Sequence, residues 1–79
     1  MYYVYILRSI PYPNKTYTGH TINLKHRLTE HNSGECVHTN KFMPWQLCTY
    51  IAFDKKEKAL VFEKYLKSGS GRAFAKKRF

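Results

Sequence analysis

Acid is scarce in this chain: five Asp and Glu stand against fourteen Lys and Arg in 79 residues, a formal charge of +9. A charge density of that kind points to a polyanionic partner, because phosphates neutralised by cations release their counterions. Nucleic acid is the expected partner. An anionic membrane surface is disfavoured, since the basic residues are not gathered opposite one clean apolar helix face. Cysteine is also sparse. Cys36 and Cys48 form no C-x-x-C pair and no framework count, which excludes a disulfide scaffold and sets free thiols in a reducing cytoplasm as the expectation. A zinc-supported domain built on Cys36, His38 and Cys48 lacks a second ligand pair of standard spacing. Long apolar runs are missing as well: Tyr2 to Leu7 is too short to span a bilayer or to direct export. No repeat, linker or low-complexity tract interrupts the chain, so residues 1–79 are read as one domain without membrane contact.

A core of this size must be dense, and seven Tyr, five Phe and one Trp supply large buried areas on a short chain. Met1 to Ser9 is aromatic and β-branched, a strand expected at or near the centre of a sheet. Its alternation puts Tyr3, Tyr5 and Leu7 on one face and Tyr2, Val4 and Ile6 on the other. Pro11, Pro13 and Asn14 make a turn, and Lys15 to Thr18 returns as an antiparallel strand expected to end at Gly19. Gly34 to Met43 has no period and reads as a loop. Gln46 to Phe53 is a third strand, and Asp54-x-x-Glu57 a capping box opening a helix to about Lys67. Ser70-Gly71 should break that helix before a short basic one over Arg72–Phe79, whose Phe74 and Phe79 can dock while its cations face solvent or phosphate.

The stretch Tyr17 to His31 organises the rest. Asn23 is a good N-cap, and Leu24, Arg27, Leu28 and His31 recur at helical spacing, which places two polar groups on the packed side. One account of the pair is structural, with the Arg stem lying on apolar neighbours and the His at the negative end of the helix dipole. The other is chemical. The same choice arises at Glu63, which falls beside Ala59 on the buried arc of its helix: it either pairs with Lys67 at i+4 or holds a hard divalent cation.

Phosphodiester hydrolysis needs an oriented water with a proton acceptor, charge stabilisation on phosphoryl oxygens, and help for the leaving oxygen. One Mg2+ on a single carboxylate such as Glu63 can meet the last two needs. A guanidinium at Arg27 can fork onto the phosphate. Tyr5, Tyr17 and His31 are the candidate bases, provided a nearby cation lowers the pKa of whichever serves.

Taken in order, Tyr3-Val4-Tyr5, Tyr17-Thr18-Gly19, Arg27, His31 and Glu63 resemble the signature of the GIY-YIG nucleases, with Tyr3 where the first motif has Gly and Thr18 where the second has Ile. The resemblance covers the whole chain, down to the ending E-K-Y-L-K-S-G-S-G-R. It implies an α+β fold, a small three-stranded antiparallel sheet flanked by helices, and an endonuclease using one Mg2+ or Mn2+. By position, Tyr5 would activate the water with Tyr17 assisting, Arg27 would stabilise the phosphate, His31 would orient or relay protons, and Glu63 would ligate the metal. Lys25, Lys67, Arg72 and Lys76 are the expected nucleic-acid contacts, with DNA favoured over RNA. Family nucleases often carry a separate recognition domain, so a protein partner or a dimer is expected to supply specificity. The rival is a nucleic-acid-binding module that has lost catalysis. On the enzyme reading both phenols, Arg27, His31 and Glu63 are expected to converge in one shallow groove.

Overall fold

Apolar side chains on both faces of the first strand call for cover on both sides, and the computed structural model, which describes all of residues 1–79, provides it. The elements run β1 (Tyr2–Ser9), β2 (Thr16–Thr21), α1 (Leu24–Asn32), a 3-10 turn (Asn40–Phe42), β3 (Trp45–Phe53), α2 (Lys56–Leu66) and α3 (Gly69–Arg78). The three strands form an antiparallel sheet in the order β2-β1-β3, with β1 central, and the fold is α+β. On one face Val4 and Ile6 pack with Ala59 and Leu66 of α2, joined by Phe62 and by Ala75 of α3. On the other, Tyr5, Leu7 and Trp45 pack with Leu24 and Leu28 of α1. Each large apolar side chain buried this way contributes about 1.5–3 kcal/mol. No helix is long and apolar enough to cross a membrane.

Several boundaries differ from the sequence expectation. Strand β2 runs through Gly19 to Thr21 instead of stopping there. The glycine serves a close approach, not a turn: a Cβ at Gly19 would lie 2.5 Å from the Tyr5 hydroxyl and 2.8 Å from its Cζ. Gly19→Ala is therefore expected to cost about 1–3 kcal/mol by overpacking, and calorimetry should find an unfolding temperature lower by about 4–8 °C per kcal/mol. An unchanged midpoint would mean that the Tyr5 ring gives way freely.

The capping box does not form either. Lys55 occupies the N-cap of α2 without a side-chain cap, and Asp54 pairs with Lys58 at 3.3 Å. Ser70-Gly71 lies inside α3, because Ser68 caps that helix by accepting the Gly71 N–H at 3.1 Å. Here too the glycine answers to space, since a Cβ at Gly71 would run into the Tyr65 carbonyl. Phe74 reaches Tyr65, and Phe79 reaches Phe74, but both stay at least about a third exposed, so Ala75 makes the core contact of α3.

Candidate active site

Helix α1 is set on the sheet by bonds at both ends. At its start the Asn23 side chain accepts the His26 N–H at 3.0 Å, and Thr21 Oγ1 accepts the Asn23 N–H at 3.1 Å. At its end Asn32 accepts the Trp45 N–H at 2.6 Å and donates to the Trp45 carbonyl at 3.0 Å, fixing the start of β3. Between these ends Arg27 and His31, one turn apart, face the tyrosine side of the sheet. Cross-strand register does the rest: Tyr5 pairs with Gly19 and Leu7 with Tyr17, so both phenols lie under α1.

The side chains form a directed hydrogen-bond chain. Arg27 Nε–H donates to the Tyr5 hydroxyl at 3.3 Å, and that oxygen is 3.0 Å from His31 Nε2. His31 Nδ1 lies 2.8 Å from Thr39 Oγ1, which in turn donates to the Cys36 carbonyl. One assignment satisfies every group: the Tyr5 hydroxyl donates to a bare Nε2, and a protonated Nδ1 donates to Thr39. His31 is thus neutral and fully buried. Burial and the neighbouring Arg27 charge push its pKa below the ordinary 6.5, against a smaller opposing pull from Glu30. Burial also raises the Tyr5 phenol above 10.0, outweighing the bond and charge of Arg27. This departs from the lowered value that a tyrosine base requires, and Tyr5 is only 2% exposed. The Tyr17 ring sits 5.0 Å from the imidazole and 6.4 Å from the Tyr5 ring, half-buried, and its hydroxyl makes no bond within the chain. Arg27 spends two of its five N–H donors inward, on Tyr5 and on Glu30 at 3.3 Å. Beside it opens a hollow of about 290 Å³ lined by Glu30, Glu35, Cys36 and His38.

The buried imidazole carries a pH signature. Below its ordinary 6.5 the unfolded chain takes up the proton that the fold refuses, so stability is complete above that pH and falls as the pH drops toward the depressed folded value. Urea midpoints at pH 7.5 and pH 5 should separate for the wild type by more than for His31→Gln; equal separations would contradict a neutral, buried His31.

Glu63 does not join this group. Its Oε1 lies 2.6 Å from His20 Nδ1 and its Oε2 3.0 Å from Lys67 Nζ. His20 pairs with Val4, so its side chain is on the α2 face of the sheet, opposite the phenols. The single groove expected from the sequence is therefore not formed. Two clusters instead flank the edge strand β2 at adjacent residues: the Tyr5 hydroxyl over Gly19 on one side, and Glu63 bound to His20 on the other, with the two Cα atoms about 3.8 Å apart. His20 escapes sequence reasoning when β2 is stopped at Gly19; letting the alternation of Tyr17 and Gly19 against Thr18 and His20 continue would have found it. Thr39 carried no signal in an aperiodic loop. Of the expected nucleic-acid contacts, Lys25, Arg72 and Lys76 are exposed and Lys67 is the salt-bridge partner of Glu63.

A model of the GIY-YIG catalytic domain matches residues 1–78. The chain belongs to the GIY-YIG family. It is 42% identical over 69 residues to the structure-specific endonuclease subunit SLX1 of Debaryomyces hansenii, a match covering 78% of this chain and 20% of that protein. The SLX1 subunit of Candida dubliniensis is 41% identical over 69 residues, with 24% of its length covered. A UPF0213 protein of Streptococcus pyogenes serotype M3 is 38% identical over 73 residues, covering 90% of this chain and 76% of that one. This GIY-YIG chain thus spans about a fifth to a quarter of the SLX1 subunits and three-quarters of the streptococcal protein.

No group of three or more His, Cys, Asp or Glu is close enough to form a metal cage in this GIY-YIG chain, which leaves Cys36, His38 and Cys48 without a zinc site. A hard cation asks for less. Mg2+ keeps most of its waters and takes one or two carboxylates, so Glu63, 12% exposed at the strand edge, fits it once Lys67 or His20 yields an oxygen.

Proposed function

We propose that this chain is a divalent-metal-dependent endonuclease that hydrolyses phosphodiester bonds in DNA, with a protein partner or second copy supplying specificity in the cytoplasm. The observation that carries this reading is the chain from Arg27 through Tyr5 and His31 to Thr39, a guanidinium and a proton relay joined at one phenol oxygen. The name of the SLX1 relatives, structure-specific endonuclease subunit, supports the same reaction class and a partnered state.

In the proposed reaction a phosphate of the substrate crosses the β2 edge. Arg27 forks onto its oxygens with the N–H donors it does not use inward, and in doing so draws away from Tyr5, exposing an acceptor lone pair that is covered in the free protein. The attacking water gives its proton to the Tyr5 oxygen while the phenol passes its own to His31 Nε2, so no free phenolate forms, and the withdrawal of Arg27 removes one of the two causes that keep His31 neutral. Tyr17, with its unbonded hydroxyl at the edge, orients the water. The P–O bond to the leaving oxygen then breaks, that oxygen takes a proton from a solvent water, and the hydroxide so formed recovers the proton held on His31 through Tyr5, giving a phosphate monoester and an alcohol. Glu63 would hold the Mg2+ or Mn2+, with His20 and Lys67 steering its carboxylate; when bound, the ion supplies Lewis-acid stabilisation of the phosphate and leaving oxygen. Lys25, Arg72 and Lys76 contact neighbouring phosphates.

A second reading has its own observation: Tyr5 is enclosed and both Glu63 oxygens are engaged, as a binding module without catalysis would allow. Labelled single-stranded, duplex and branched substrates incubated with and without Mg2+ or Mn2+ separate the two. Cleavage that depends on the ion supports the enzyme; salt-sensitive binding with no ion-dependent product supports the module.

A further inference from the structure

Helix α1 covers the Leu7 and Trp45 end of its sheet face and, at the other end, leaves Tyr50 open beside a partly buried Tyr3. Tyr50 is the β3 partner of Tyr5, and Tyr3 lies one same-face step along β1. Their ring centroids are 5.8 Å apart with planes inclined at 71°, so the edge of one ring braces the other. Tyr50 nevertheless remains 51% exposed. Tyr3 is flanked across the sheet by Ala52 and Thr21, side chains too small to roof the pair. Thr21 bonds to Asn23 at the start of α1, whose first turn carries the exposed Lys25.

An open aromatic face beside the proposed reacting phenol, on a chain of charge +9, suits a nucleobase. A base within a duplex already has neighbours on both faces, whereas an unpaired one offers its π-face to a side chain. An apolar protein surface would find a poor match in a patch that the small side chains of Ala52 and Thr21 interrupt. We infer that Tyr50, braced by Tyr3, stacks an unpaired nucleobase of the strand whose phosphate lies at Arg27, so that the substrate is one with single-stranded character at the cut. This rests on the nuclease reading above for the identity of the strand, but its binding step stands apart from catalysis.

The test uses an oligonucleotide carrying 2-aminopurine, single-stranded or annealed, without divalent metal. The wild-type protein should quench the single strand and bind it more tightly than duplex. Tyr50→Ala should lose about 5- to 150-fold in single-strand affinity, the range of one base–aromatic stack, with duplex binding changed less than about twofold. Tyr50→Trp should restore both affinity and quenching. The slope of affinity against salt should not move, because no phosphate contact is lost. Unchanged affinity in Tyr50→Ala, or an equal loss on single strand and duplex, overturns the inference. Where alanine unfolds the chain, Tyr50→Leu keeps apolar bulk without a π-face, and wild-type affinity in that variant overturns it too. Self-association abolished by Tyr50→Ala with nucleic-acid binding intact assigns the patch to a protein partner, also overturning it. Quenching without metal-dependent cleavage leaves the stack standing and removes the nuclease reading; cleavage with no dependence on Tyr50 does the reverse.

Discussion

Glu63→Gln should bring ion-dependent cleavage down to background, a loss of at least about three orders of magnitude. The side chain keeps its size and can still bond His20 and Lys67, so the local packing survives while the charge that would hold a hard cation is gone. Lewis-acid stabilisation is worth several kcal/mol, and every 1.36 kcal/mol is tenfold in rate. The fold should barely notice. The ion pair with Lys67 is an i,i+4 helix pair of about 0.3–0.5 kcal/mol, so the unfolding temperature should stay within about 4 °C. Nucleic-acid affinity without metal should hold or rise slightly, because one anion has been removed from a basic surface. Cleavage within tenfold of the wild type would return Glu63 to the structural role that its bond to Lys67 already suggests.

Arg27→Ala should lower kcat by about 10²–10³-fold, the usual consequence of removing one preorganised donor from a developing oxyanion. Its effect should differ in kind from that of Glu63→Gln: the dependence of the residual rate on Mg2+ concentration should be unchanged, since Arg27 and Glu63 lie on opposite faces of β2. Arg27→Lys should recover little. A lysine keeps a positive charge but cannot fork two parallel N–H bonds onto a phosphate while keeping a further donor on Glu30. Single-turnover rates across a Mg2+ titration check both points, and a loss under tenfold in Arg27→Ala would remove the guanidinium from the chemistry.

The sequence is most legible where periodicity is local. The two-faced pattern of Tyr2 to Leu7 locates the central strand, and Asn23, Leu24, Arg27, Leu28 and His31 locate the capped helix and its inward polar pair, because both patterns depend only on neighbours a few residues away. Pairing decides the rest. A glycine read as a stop is in fact a gap for the Tyr5 ring, and ending β2 there conceals that His20 turns to the other face and takes Glu63 with it. Which face a residue occupies changes with a single step of register, so a helical wheel can place Glu63 at the core margin without saying at which core. Thr39 and Trp45 were hidden for another reason. Thr39 meets the imidazole from a loop without period, through a side-chain hydroxyl, and its carbonyl accepts the indole N–H of Trp45 at the start of β3, links that no pattern announces. The start of α3 was missed because Gly69 to Gly71 reads as a breaker until Ser68 caps it and Gly71 proves to sit against the Tyr65 carbonyl.

Cleavage would depend on one arrangement: a phosphate at the β2 edge in contact with Arg27 on one side, with Glu63 holding the cation on the other. A crystal structure with Mn2+ and an uncleavable phosphodiester analogue tests it directly through the anomalous signal of the metal. The predicted result is a manganese peak on the Glu63 carboxylate, released from Lys67 or His20, with the same phosphate in contact with Arg27. Manganese elsewhere, or a phosphate that reaches Glu63 while Arg27 stays folded against Tyr5, would contradict it.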